Sequence, residues 1–106
     1  MKTQLKKGAL EMCVLAVLAR GDSYAYEIVH TLAHSMAMSE GTIYPLMRRL
    51  QAEKWVSTYQ VESASGPSRK YYCLTEHGRE SLMQMQQEWA EFMSEVEQVL
   101  KTGVSK

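Results

Sequence analysis

A chain of 106 residues is long enough to bury one hydrophobic core and too short to build several, so we expect a single domain to which a second subunit could add buried surface. It has no apolar run of membrane-spanning length, and its start lacks the apolar segment of a signal peptide, so we expect a cytoplasmic protein with no membrane partner. Its two cysteines are not spaced as metal ligands and suit free thiols better than a disulfide framework.

Charge is unevenly distributed along the chain, although the formal net charge is zero. Residues 1–70 contain nine Lys or Arg and six Asp or Glu, whereas residues 71–106 contain three and six. The zero total argues mildly against a nucleic-acid ligand. The basic first part of the chain can nevertheless present a local positive face, which is the footprint that nucleic acid requires.

The first predicted helix covers residues 5–19, where Glu11 is the one polar residue between Ala9 and Ala19. Its apolar residues form two faces, Leu10, Val14, Val17 and Leu18 on one and Leu5, Ala9, Met12, Cys13 and Ala16 on the other. A helix that is apolar on two sides must be covered twice. In so small a domain, we expect another subunit to provide the second cover.

The second predicted helix covers residues 24–35, after Gly21 ends the first helix and Asp22 or Ser23 caps the second. Three of its polar residues share a face: Glu27, His30 and His34. The sequence places no further ligand beside them, so we interpret them as solvated side chains and predict no metal site.

The third predicted helix covers residues 39–53 and begins near Gly41, because Pro45 is tolerated only in a first helical turn. Its apolar stripe is Ile43, Leu46, Met47 and Leu50, and its other face offers Thr42, Tyr44, Arg48 and Arg49. Small and hydroxyl residues followed by arginines are typical of a helix that reads the DNA major groove. The alternative is an ordinary amphipathic helix with a solvated basic face.

The pattern then changes to alternation, which predicts a β-hairpin with strands over residues 55–61 and 69–75 and a turn over residues 63–68. A hairpin that follows a helix-turn-helix is a wing. Arg69 and Lys70 lie where phosphate or minor-groove contacts would be made. Alternatively, these two cations only protect an exposed strand edge from pairing with other chains.

The last predicted helix begins after Thr75, its expected N-cap. Its apolar residues are spaced 3, 4, 3, 4, 3: Leu82, Met85, Trp89, Phe92, Val96 and Val99. We call this stripe the seam. A heptad seam packs against another helix. The fold class is therefore mainly α with a small β-hairpin, in which residues 1–75 form a winged helix-turn-helix head, residues 76–101 a C-terminal dimerisation helix and residues 102–106 a frayed tail.

Several motifs in this order resemble the PadR-type transcriptional regulators, over about residues 5–100. The matching segments are Tyr24-Ala25-Tyr26-Glu27-Ile28, Gly41-Thr42-Ile43-Tyr44-Pro45-Leu46 with Arg49-Leu50, and Gly66-Pro67-Ser68-Arg69-Lys70-Tyr71-Tyr72 with Leu74-Thr75-Glu76 and Gly78. The single helix after the wing resembles the short branch of the family, which includes multidrug-responsive repressors. Ala25 departs from a frequent glycine, and the Met- and Gln-rich last helix does not allow a ligand preference to be transferred.

The resemblance implies a homodimer that binds an inverted-repeat operator in double-stranded DNA. Family members commonly repress genes of detoxification, efflux or phenolic-acid metabolism until a ligand relieves repression. No cofactor is expected. Because Trp89 is surrounded by deformable side chains, a planar hydrophobic effector is predicted between the two Trp89 residues of a dimer, the alternative being that Trp89 only fills the dimer core.

Three sets of residues are predicted to carry these functions. The DNA-binding set is Lys6, Lys7, Tyr24, Ser39, Gly41, Thr42, Tyr44, Arg48, Arg49, Ser68, Arg69 and Lys70. The effector-binding set is Met12, Ala16, Met85, Gln86, Trp89 and Met93. The dimer-interface set is Leu5, Ala9, Leu82, Met85, Trp89, Phe92, Val96 and Val99.

A second class of function is a winged-helix module that binds protein and does not read DNA. The clustered cations favour DNA, since a protein-binding wing does not need them. No catalytic residues are predicted, because no Ser/His/Asp, Cys/His or paired-carboxylate arrangement has supporting context and no glycine-rich phosphate loop is present. We therefore expect a protein that is not an enzyme.

Overall fold

The computed structural model describes residues 3–104, with side chains described for residues 9–101. The predicted positions Leu5, Lys6 and Lys7 belong to the first helix, but their side chains lie outside the described ones. The elements are α1 (Thr3–Ala19), β1 (Ser23–Tyr24), α2 (Ala25–Met36), α3 (Glu40–Ala52), β2 (Val56–Ser63), β3 (Gly66–Leu74) and α4 (Glu76–Val104). The predicted fold class is confirmed: the chain is mainly helical with a small antiparallel sheet.

The sheet has three strands in the order β1-β3-β2, one more than the sequence predicted. Ser23 pairs with Tyr72 and Tyr24 with Tyr71, so the link between α1 and α2 forms a short strand beside the wing. The prediction that Asp22 or Ser23 caps α2 is wrong, since Tyr24 is the N-cap residue. Its backbone N–H donates to Glu27 Oε1 at 3.4 Å. A two-residue strand has no pattern of its own and depends on pairing with a distant segment.

The wing turn is shorter than predicted. Ser63 pairs with Gly66, so only Ala64 and Ser65 form the turn, and β3 already begins at Gly66. The ladder is irregular between Val61 and Ser63. Serine, glycine and proline favour turns, which is why residues 66–68 were assigned to the turn. In the structure these residues belong to the exposed end of β3 instead.

The core is built around α1, whose inward side chains are covered by all other layers of the head. Its buried residues are Leu10, Val14, Leu15 and Leu18 from α1, Ile28, Val29 and Leu32 from α2, Met38, Ile43, Met47 and Leu50 around α3, Val56 and Tyr72 from the sheet, and Leu82 from α4. Such burial contributes about 1.5–3 kcal/mol for each large apolar side chain. Ala9, predicted at the dimer interface, is also buried within the single chain.

Helix α4 begins as predicted, because the Thr75 hydroxyl accepts the backbone N–H of Gly78 at 2.9 Å. The same hydroxyl group lies 2.8 Å from the Lys54 carbonyl oxygen, which ties the helix start to the residues before the wing. The helix continues to Val104, three residues beyond the predicted end of the dimerisation helix. At ~1.5 Å per residue, its 29 residues span about 44 Å. The chain measures 65 × 27 × 21 Å, so most of α4 projects beyond the head along the longest dimension.

Among the helices that the structure describes within residues 3–104, none is long and apolar enough to cross a membrane. Cys13 and Cys73 are free thiols, as predicted. Burial raises the pKa of the Cys13 thiol.

Candidate nucleic-acid interface

Helix α3 begins at Glu40 with Ser39 as its N-cap residue. The Ser39 hydroxyl lies 3.2 Å from that of Thr42, and the two share a hydrogen bond. Pro45 was predicted in the first turn of the helix, but it lies beyond that turn, as the sixth residue of α3. Because proline has no N–H, the carbonyl of Gly41 lacks the partner that a regular helix would provide at position 45. This backbone acceptor lies at the exposed start of α3.

One face of α3 points away from the core. Ile43, Met47 and Leu50 are buried, while Gly41, Pro45 and Arg48 are exposed. Positions 41, 45 and 48 follow at i, i+4 and i+7 and so share a face. This exposed face, which we call the outward stripe, presents a small residue at its start and a guanidinium farther along.

Tyr44 and Thr42 flank the outward stripe on opposite sides, and both are half-buried. Tyr44 lines a groove of about 350 Å³ between α2 and α3, whose lining residues are Tyr26, Val29, His30, Ala33, Met38, Ser39, Glu40 and Tyr44. Thr42 lines a second groove, of about 250 Å³ between α1 and α3, together with Leu10, Glu11, Pro45, Leu46 and Arg49. The predicted residues of α3 are thus spread over three sides of the helix.

Arg49 is exposed but lies at the edge of the outward stripe, on the side that faces α1. Its guanidinium forms an ion pair with the carboxylate of Glu11 on α1. Arg48 and Arg49 are about 100° apart around the helix axis, so adjacent arginines meet different surroundings. Arg48 therefore shares the face of Gly41, whereas Arg49 lies at the edge of that face and pairs with α1.

The two cations of the wing also lie apart. Arg69 stacks over the ring of Tyr24, with its guanidinium carbon 4.6 Å from the ring centroid. Lys70 extends over Tyr72, which is buried, with Nζ 5.5 Å from the centroid. Because side chains alternate along a strand, Arg69 and Lys70 project from opposite faces of the wing. Ser68 donates to the side-chain oxygen of Gln60 at 3.2 Å, which ties the two strands together near the tip.

A row of aromatic rings, which was not predicted from the sequence, connects the wing to α2. Tyr59 stacks on Tyr71 with centroids 5.7 Å apart, and Tyr71 meets Tyr24 edge-on at 5.5 Å. Tyr24 is 6.5 Å from Tyr26, which stacks on His30 at 6.0 Å. Arg69 is held on this row through Tyr24. No local signal marks the middle of the row, because Tyr71 and Tyr24 meet only when β1 pairs with β3.

The hydroxyl of Tyr59 donates to Asp22 Oδ2 at 2.7 Å, which joins the wing to the loop after α1. This hydrogen bond to a carboxylate, together with desolvation, raises the pKa of Tyr59 to about 12. The neutral phenol, and with it the hydrogen bond, is therefore present throughout the neutral range. The wing is thus fixed relative to the head at both its strands.

The predicted cluster of Glu27, His30 and His34 has no metal-site geometry. Glu27 accepts the N–H of Tyr24, and the His30 ring stacks on Tyr26. Within residues 3–104, no group of three His, Cys, Asp or Glu side chains is arranged to hold a metal ion.

Three of the six residues predicted to bind an effector, Met12, Met85 and Trp89, line one pocket. Met12 of α1 and four residues of α4, Met85, Glu88, Trp89 and Phe92, line a pocket of about 210 Å³. The other predicted members, Ala16, Gln86 and Met93, do not line it, and Met93 borders a separate shallow groove farther along α4. Glu88 was not among the predicted residues and lies one turn from Met85 on the same face.

The seam divides into a covered and an uncovered part. Leu82 is buried in the head and Met85 is half-buried. Beyond them Trp89 is 39%, Phe92 57%, Val96 36% and Val99 70% exposed. Among the described side chains of residues 9–101, the last two heptads of the seam are therefore much more exposed than the first.

Three helices with a short turn before α3, followed by a hairpin packed beside them, define a winged helix-turn-helix protein. A family model for PadR-like transcriptional regulators matches residues 14–84. The chain belongs to this family and is a transcriptional regulator, as the sequence motifs predicted. The family's members are regulators of transcription, not enzymes.

Solved structures of regulators superimpose on nearly the whole chain. A PadR-like transcriptional regulator from Bacillus cereus is 37% identical with a TM-score of 0.83, over 92% of this chain and 97% of the other. A Streptococcus transcriptional regulator is 37% identical with a TM-score of 0.82, over 92% and 98%. An uncharacterized protein of Lysinibacillus sphaericus is 29% identical over 94 residues, which cover 85% of this chain and 86% of that one.

Proposed function

We propose that this regulator is a homodimer that binds an inverted-repeat operator in double-stranded DNA and acts as a ligand-responsive repressor. The observation that carries the proposal is the exposed outward stripe of α3, with Arg48 along it and Arg69 held on Tyr24 at the wing. The stripe enters the major groove, where Gly41 allows close approach and Thr42 and Tyr44 contact base edges or nearby phosphates.

Phosphate contacts are assigned to residues whose cations are free to meet the backbone. Arg48 is exposed on the outward stripe, and Arg69 and Lys70 extend along the wing. Tyr24 orients Arg69 by a cation–π contact that leaves the guanidinium edge available. Each phosphate neutralised contributes about −0.9 to the slope of log K against log salt concentration.

The test measures binding of a labelled duplex from the gene's own upstream region by fluorescence anisotropy across a salt series. Arg48→Ala and Arg69→Ala should each flatten the slope by about 0.9 per head and weaken all duplexes alike. Tyr44→Ala should weaken binding to the operator by ~1–3 kcal/mol more than binding to an unrelated duplex, because Tyr44 is proposed to contact a base. Arg79→Ala, which removes the same charge from the start of α4, is the matched control and should change little.

If the wild-type protein binds no duplex in a salt-dependent way, the DNA-binding proposal is wrong. The other class of function, a winged-helix module that binds protein, would then be favoured. Capture of a protein partner that depends on Arg48 and Arg69 would support that alternative.

The dimer is proposed from the uncovered part of the seam. Trp89, Phe92, Val96 and Val99 lie in the projecting half of α4 and are 36–70% exposed in the single chain. Burying each such side chain against a second copy contributes up to ~1.5–3 kcal/mol. An antiparallel or crossed pair of α4 helices would place two heads on successive major grooves, about 34 Å apart.

The effector is proposed to be a planar hydrophobic compound that enters the pocket beside Trp89. Met12, Met85 and Phe92 supply deformable and aromatic contacts, and Glu88 supplies a carboxylate. A compound with a positive charge is therefore favoured over an anion of the same shape. By the resemblance described above, the regulated genes serve detoxification, efflux or phenolic-acid metabolism.

The effector proposal is tested in a Trp55→Phe variant, in which Trp89 is the only tryptophan. Cationic planar dyes should quench its fluorescence and release operator DNA, because a ligand must bind the two states differently to shift them. Glu88→Gln should weaken cationic dyes more than neutral ones. If no dye quenches Trp89 or releases DNA, Trp89 is only part of the dimer core.

A further inference from the structure

The two neighbouring arginines of α3 differ in what neutralises them. Arg48 lies on the outward stripe and is exposed. Arg49 forms an ion pair with Glu11, and its side chain is 60% exposed whereas that of Glu11 is 25% exposed. The carboxylate is thus set into the wall of the groove between α1 and α3, and the guanidinium extends over it towards solvent.

We infer that Glu11 is a positioning residue for DNA binding, which holds Arg49 against α1 and so removes one cation from the phosphate contacts of each head. This inference rests on the proposed DNA-binding function. It differs from the expectation, drawn from the sequence, that Arg48 and Arg49 both bind DNA.

The physical reason is that a phosphate would have to replace an anion that is already in place. If Arg49 moved to a phosphate, a carboxylate set into the head would remain without its partner, and its charge would repel the same phosphate. A salt cation would then bind to the unpaired Glu11 carboxylate, which would cancel the effect of the counterion that Arg49 releases from DNA. Arg49 therefore adds little to the salt dependence while it is paired with Glu11, although it lies on the same helix as Arg48.

The position of the pair supports this role. Arg49 and Thr42 lie two turns apart on the same flank of α3, and both line the groove with Glu11. Thr42 is proposed to contact DNA, so a freed Arg49 side chain would lie beside the DNA backbone. Removing the charge of Glu11 should consequently convert Arg49 into a phosphate contact.

The experiment compares Glu11→Gln, Arg49→Ala and the double variant with the wild-type protein, in the salt series described above. Both single variants break the same ion pair, but only Glu11→Gln frees a cation. Glu53→Gln, which removes the same charge near the end of α3, is the control for a general electrostatic effect. Thermal unfolding of each variant shows whether the head remains folded.

Glu11→Gln should steepen the slope of log K against log salt by about 0.9 per head, on operator and unrelated duplexes alike. Between 50 and 200 mM salt this corresponds to about a 3.5-fold greater loss of affinity per head. Arg49→Ala alone should leave the slope unchanged. The double variant should have the wild-type slope, because it lacks the arginine that Glu11→Gln frees.

The inference is overturned if Glu11→Gln has the wild-type slope or only matches Glu53→Gln. It is also overturned if Arg49→Ala flattens the slope, because Arg49 would then already hold a phosphate. Absence of DNA binding by the wild-type protein would overturn the proposed function as well, whereas normal wild-type binding with an unchanged Glu11→Gln slope would overturn this inference alone.

Discussion

Replacing Gly78 by alanine tests how closely α4 approaches the residues before the wing. Gly78 is buried at the third residue of α4. An added Cβ atom would lie 2.8 Å from Leu74 Cδ1 and 2.9 Å from the carbonyl carbon of Trp55, with the carbonyl oxygen closer still. That carbonyl cannot easily move, because it accepts the Thr75 N–H at 3.0 Å and lies 3.0 Å from the Thr75 hydroxyl.

The magnitude follows from two opposing effects. Alanine is favoured over glycine in a helix by about 1 kcal/mol. Overpacking costs ~1–3 kcal/mol, and more where the clash is with fixed backbone. We therefore expect Gly78→Ala to lower the free energy of unfolding by about 2 kcal/mol or more. For a domain of this size, that corresponds to a fall in Tm of roughly 10 °C.

Gly41 provides a matched control, since it is also a glycine in the first turn of a helix. A Cβ atom there would meet only Ser39 Oγ at 3.9 Å. Gly41→Ala should therefore leave stability unchanged or raise it by up to ~1 kcal/mol, while weakening DNA binding if this position approaches the operator. Urea unfolding followed by circular dichroism, at one fixed protein concentration, measures both variants. A Gly78→Ala protein as stable as Gly41→Ala would refute the close approach.

Two further predictions concern the dimer and the wing. Val96→Glu should give a monomer in sedimentation at micromolar concentration, whereas Ser94→Glu on the opposite face of α4 should not; a wild-type monomer would remove the basis for the dimer. Because the pKa of Tyr59 is raised to about 12 by its bond to Asp22, the stability from this bond is complete below about pH 10, where an unfolded tyrosine begins to ionise, and is lost as pH rises through 12. Between about pH 10 and 12, the free energy of unfolding of Tyr59→Phe should therefore fall less than that of the wild type. Identical pH profiles of the two proteins would contradict a stabilising hydrogen bond between Tyr59 and Asp22.

The sequence by itself determined the helices, the wing and the family. Helical periodicity fixed the inward residues of α3, such as Ile43, Met47 and Leu50, because only one face of a helix can meet a single core. The Thr75 cap could also be predicted, since capping depends on atoms within one turn. Both features depend on residues that are close together in the sequence, so the sequence is sufficient to predict them.

The site was readable only in outline. The sequence placed Tyr44, Arg48 and Arg49 together on the polar side of α3, whereas in the folded chain Tyr44 lines the groove towards α2 and Arg49 lines the groove towards α1. It likewise treated Arg69 and Lys70 as one basic cluster, although alternation along β3 sends them to opposite faces. Residue type indicates what a side chain can bind, but its neighbours in space determine whether it is free to do so.

Only the tertiary structure decided the contacts between segments distant in the sequence. Strand β1, the aromatic row from Tyr59 to His30 and the Glu11–Arg49 ion pair each need two elements to pack before they exist. Neither partner carries a local signal of the other, because the two partners lie far apart in the sequence. The seam is the opposite case: its periodicity was evident from the sequence, and the structure added that the head covers only its first turns, because α4 extends far beyond the core that could bury the rest.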